Sequence, residues 1–156
     1  MKNLQHLLSE LQKKIPLQDL LNPAISKSSV GWHIEHSLLT LNVIMSALKQ
    51  SNPADYKSTF DIRSEVVMLL GIIPRGKVKA PAVVRPAPTF DENSLQQHLL
   101  AVRKNLESLN SLSPDHYFTH PFLGDFRLKP AIKFMKVHTN HHLKIIKDIV
   151  KRSQTS

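Results

Sequence analysis

The chain has no cysteine. That excludes disulfides, thiolate nucleophiles and every cysteine-based zinc or iron–sulfur centre, so any bound metal is held by nitrogen or oxygen. Long apolar runs are missing too. No segment approaches the ~20 apolar residues of a membrane-spanning helix. The N-terminal leucines carry polar residues between them, unlike the unbroken apolar stretch of a signal peptide. A cytoplasmic protein with no membrane role is therefore expected. Glycine is scarce, at four residues, and the 12 acidic side chains are outnumbered by 21 lysines and arginines, giving a formal charge of +9. Such a surplus suits an anionic small molecule, an acidic partner or nucleic acid, and charge alone does not choose among them. A chain of 156 residues fits one domain over 1–156, with enough length for a substantial core.

What is present is mostly helical periodicity. Leu4, Leu7, Leu8 and Leu11 predict an amphipathic first helix, ended or bent at Pro16. Serines 26, 28 and 29 offer an N-cap for a second helix running from Val30 towards Leu48, which Ser51-Asn52-Pro53 stops. Its apolar residues form two stripes: Val30, Ile34, Leu41, Ile44 and Leu48, and Trp32, His36, Leu39 and Val43. Such a helix needs cover on two sides and belongs at the centre of a bundle, with Trp32 in the core. A shorter helix from Asp61 to Leu70 would turn Ile62, Val66, Leu69 and Leu70 inward and stop at Gly71.

The segment that follows holds Pro74, Pro81, Pro86 and Pro88 and no acidic residue before Asp91, while Arg75, Lys77, Lys79 and Arg85 make it basic. It reads as a long ordered loop, packed on the body through Val78, Val83 and Val84. Thr89-x-x-Glu92 has the form of a capping box before a helix marked by Leu95, Leu99, Val102, Leu106 and Leu109. A second loop spans Asp115 to Leu128, and Pro130 suits the first position of the last helix, which frays from Lys151. No segment reads as a strand. The fold class expected is all-α, an antiparallel helical bundle with one broken crossover.

Three of the nine histidines lie in His138-Thr139-Asn140-His141-His142. His138 and His142 fall in the buried stripe of Ile132, Met135, Ile145, Ile146 and Ile149, and His141 at its edge. An i, i+4 pair can reach one metal ion if another helix supplies a third ligand. Alone, such a pair reads more simply as core histidines. The second helix offers His33 and His36, and periodicity favours His36 only slightly. His33-x-Glu35 opens like a zinc deaminase signature, but that chemistry needs a later cysteine pair. Glu35 itself reads as a solvent-facing carboxylate, and His6, His98 and His116 as exposed or boundary residues.

Four stretches together resemble the DinB-like superfamily of small four-helix metal-binding proteins: Ser29 to His36, Ile73-Pro74-Arg75-Gly76-Lys77, His120-Pro121-Phe122-Leu123-Gly124, and His138 to Leu143. The second and third resemble an uncharacterised branch. The resemblance implies an antiparallel four-helix bundle with long ordered loops, and it carries the metal-ligand role to His36, His138 and His142, leaving His141 outside. Characterised relatives include S-transferases that use a low-molecular-weight thiol, and a maleylpyruvate isomerase. The family name refers to induction by DNA damage and implies no DNA binding.

Three neutral imidazoles leave a divalent ion, zinc or nickel foremost, its full charge and an open position, an arrangement of the catalytic type. A metal-dependent transferase or hydrolase acting on a small, anionic substrate is one expectation, with a thiol supplied from outside. Arg75, Lys77 and Lys79 would attract the carboxylates of a cofactor or substrate. His120, in the loop before the last helix, is a candidate acid or base. The alternative is a non-catalytic protein that binds a small ligand or uses the metal to tie helices together. Nucleic acid is the least favoured partner, because the aromatics are not interleaved with the basic residues. The broad apolar surface of the second helix leaves room for a homodimer.

Overall fold

The computed structural model describes residues 2–58, 62–76 and 79–154, without the side chain of Arg63. Lys77, Val78 and Asp61, all named above, lie outside the described residues. Five helices and one hairpin follow in order: α1 (Lys2–Gln12), α2 (Val30–Gln50), α3 (Ile62–Leu70), α4 (Glu92–Glu107), β1 (Tyr117–His120), β2 (Gly124–Arg127) and α5 (Leu128–Ser153). The molecule is mainly helical, as its periodicity dictates. α2 packs on both α4 and α5, and α1 also packs on both, so these four helices enclose one apolar core. Leu8 and Leu11 of α1, Ile34, Leu38 and Met45 of α2, Leu95 and Leu99 of α4, and Met135 and Ile146 of α5 are fully or almost fully buried there.

The helix ends show why the chain folds as it does locally. Ser29 caps α2 by accepting the Trp32 N–H at 3.3 Å, as the serine cluster suggested. At α4 the cap is Asp91 rather than Thr89. Asp91 accepts the Ser94 N–H at 2.7 Å and Ser94 Oγ accepts the Asp91 N–H at 3.0 Å, a reciprocal box one turn long. α5 begins at Leu128, so Pro130 is its third residue. Proline is tolerated there because the first-turn N–H groups have no intrahelical partner. The same helix continues to Ser153, past the expected fraying point.

Three further expectations are corrected. Tyr117–His120 and Gly124–Arg127 form an antiparallel hairpin, with Phe118 opposite Phe126 and His120 opposite Gly124, where no strand was expected. Both phenylalanines are buried beside Phe134 of α5, which anchors strands too short to hold alone. α3 ends at Gly71 with φ +63° as anticipated, but Ile62, Val66, Leu69 and Leu70, expected inward, are exposed, and it is Met68 that packs against the core. Ile62 is 68% exposed and Leu69 82%, because α3 packs only lightly on the body, chiefly on α5. Trp32 is half-buried rather than in the core, stacked on His36 at 5.0 Å.

Of the proline-rich loop, Val84 is buried and packs on α2, whereas Val83 is 66% exposed. The loop is also held at its start and end, where Ile73 and Phe90 pack against the core.

Candidate metal centre

α2 and α5 pack directly on each other, and their facing sides carry the histidines. One turn of α5 separates His138 from His142, and their ring centroids lie 4.6 Å apart. His36 of α2 closes the group, at 4.7 Å from His142 and 5.1 Å from His138. A ligating nitrogen of each of the three lies within 4.8 Å of the others. The structure thus brings together the three residues to which the resemblance gave the ligand role. His141 is half-buried at the edge, its ring edge-on to His142.

The remaining hydrogen bonds orient this group. His36 Nδ1–H donates to the Val84 carbonyl at 2.7 Å, so Nε2 is the nitrogen left to face a ligand. His142 Nδ1 lies 2.9 Å from Nδ1 of His33, which again leaves Nε2. His138 Nδ1 is buried with no hydrogen-bond partner among the described residues. A buried polar nitrogen without a partner is costly unless something else satisfies it. Burial pushes the His36 pKa down, against the opposing bond to Val84. Those of His138 and His142 fall well below the usual value through burial and then the neighbouring histidines. All three rings are therefore neutral at pH 7, the form that coordinates a metal. The donor set fits a divalent cation.

The other sequence candidates stand around this centre. His120 lies in an aromatic cluster, its ring 4.9 Å from Phe134, whose own ring is 5.9 Å from His138. Its charge, were it protonated, would be felt at His138. Its Nδ1 accepts the Phe122 N–H at 3.1 Å, and burial lowers its pKa to about 4. Arg75 pairs with Asp148 of α5 at 2.8 Å, and its charge is felt at both His33 and His141. Lys79 is exposed.

One residue departs from its sequence reading, and one left open there finds its place. Glu35 is 4% exposed and bonds His98 of α4 at 2.7 Å, so it ties α2 to α4 rather than facing solvent. Periodicity could have shown this: Glu35 lies one turn before Leu38 and Leu39 on a helix with little polar surface. His33, left open as a ligand, is buried with its ring between Ser26 and His142. Its position three residues before His36 was the only available signal.

No curated protein and no solved structure matches the chain at a significant level. The family model described as the DinB superfamily matches residues 2–146, a span that includes His36, His138 and His142. The chain belongs to the DinB superfamily.

Proposed function

We propose that this protein is a single-domain DinB-type four-helix bundle in which His36, His138 and His142 hold a divalent cation, zinc or nickel, for transferase or hydrolase chemistry. The observation that carries the reading is the convergence of three nitrogens within 4.8 Å from two helices, one ring having a buried Nδ1 without a hydrogen-bond partner among the described residues. A bound ion at a three-imidazole site supplies Lewis acidity and lowers the pKa of a coordinated water or thiol. The chain's own residues do the rest. The Val84 carbonyl and His33 hold two of the rings in place, and the indole of Trp32 covers the His36 ring.

A thiolate at this site must come from a small molecule, because the chain has no cysteine. Arg75 favours an anionic substrate or cofactor nearby, although its pairing with Asp148 spends part of that attraction within the protein. Lys79 is the second described cation of the loop proposed to meet carboxylates.

The test is elemental mass spectrometry on tag-free wild type beside His142→Ala. Near-stoichiometric metal in the wild type and its loss in the variant are expected, and would justify a screen of thiol cofactors against electrophilic substrates. Wild-type protein that stays free of metal after incubation with zinc and nickel overturns the reading.

A further inference from the structure

His33 sits on α2 with its ring wedged between two polar partners. Its Nε2 lies 2.9 Å from Ser26 Oγ, and its Nδ1 lies 2.9 Å from Nδ1 of His142. The segment before α2 holds Ser26 in place. Val30 N–H donates to Leu20 O at 2.9 Å, Gly31 N–H to Gln18 O at 2.8 Å, and Ser26 N–H to Asn22 O at 3.0 Å. Ser26 Oγ also accepts the Ser28 N–H at 3.0 Å.

Two facing Nδ1 atoms share a single proton when both rings are neutral, so one nitrogen donates and the other is bare. Two orders satisfy the chain of bonds. In one, Ser26 O–H donates to His33 Nε2 and His33 Nδ1–H donates to His142; the proton of His142 then sits on Nε2, which cannot ligate. In the other, His142 Nδ1–H donates to His33 Nδ1 and His33 Nε2–H donates to Ser26 Oγ. His142 Nε2 is then a free lone pair.

We infer that His33 is a positioning residue of the metal centre: with Ser26 it holds the His142 ring in the orientation and tautomer whose Nε2 can bind a divalent cation. This rests on the metal reading above. An imidazole ligand held by a second acceptor keeps both its ring plane and its tautomer, and loss of such a partner weakens metal binding about 10- to 100-fold. The role explains why a histidine 4% exposed lies beside the ligand group without belonging to it.

Zinc affinity by chelator competition and the visible spectrum of the cobalt(II)-loaded protein test the inference in wild type, His33→Ala and His33→Asn. His33→Ala is expected to weaken zinc about 10- to 100-fold and to alter the cobalt bands, with the helicity of the metal-free protein unchanged. His33→Asn, whose amide oxygen can stand near the former Nδ1, is expected to recover most of the affinity and the wild-type bands. Wild-type affinity and spectrum in His33→Ala overturn the inference and leave the metal reading standing. Absence of zinc binding in the wild type overturns both. If His33→Ala does not fold, Ser26→Ala replaces it, with weakened zinc binding expected; unchanged binding there also overturns the relay.

Discussion

His120 shows how one burial decides a residue's chemistry. In an unfolded chain its imidazole takes up a proton near pH 6.5, while in the folded protein burial holds the pKa at about 4. Between those values the unfolded state binds more protons, so stability falls as pH drops from about 7 towards 4. His33, whose pKa burial also lowers to about 4, contributes in the same direction. A shift of this size is worth on the order of 3 kcal/mol per group. Protonation at Nδ1 would also break the bond from the Phe122 N–H. NMR titration of the folded protein is expected to place the His120 midpoint well below pH 5, and chemical denaturation from pH 7 to 4 to show falling stability. A midpoint near 6.5 would show that the aromatic cluster does not exclude water.

At the scale of elements, close approach and capping set the frame on which the histidines stand. Gly31 lies in the first turn of α2, and a β-carbon there would run into the Phe90 ring and come within 3.0 Å of the Gln18 β-carbon. Its N–H also bonds Gln18 O, so the chain before α2 is pressed onto the helix at the point where Ser26 must reach His33. Gly31→Ala is expected to destabilise by about 1 to 3 kcal/mol through overpacking, read as a lowered denaturant midpoint. Asp91→Ala removes one half of the capping box of α4. A loss of about 1 kcal/mol is expected, with metal content unchanged, because α4 supplies no histidine to the ligand group.

The whole molecule sets a mainly helical apolar core, to which the hairpin phenylalanines also belong, against a lightly attached α3. Leu38 is fully buried, whereas Leu69 is 82% exposed. Leu38→Ala is expected to cost about 2 to 5 kcal/mol, and Leu69→Ser to stay within about 0.5 kcal/mol, by equilibrium denaturation. A large loss from Leu69→Ser would mean that α3 is packed in solution. No helix among the described residues is long and apolar enough to cross a membrane.

Much of this was legible from local pattern. Apolar spacing alone placed α1, α2, α4 and α5, because burying one face of an amphipathic helix leaves a period that the sequence records directly. The i, i+4 spacing of His138 and His142 put both rings on one inward face for the same reason. The choice between His33 and His36 was not so encoded. Both are buried, and only the way α2 meets α5 and the proline-rich loop decides which ring joins the three-histidine cluster. The hairpin was hidden because strands of four residues carry too little alternation to read, and the Phe118, Phe126 and Phe134 contacts that hold them span distant parts of the chain. Glu35 likewise finds His98 63 positions away. The sequence by itself determined the helices, their inward faces and the histidine pair, since these depend on neighbours within a turn or two. Tertiary structure alone decided the third ring, the contacts of His33 with Ser26 and His142 and the exposed face of α3, because each depends on which surfaces meet in space.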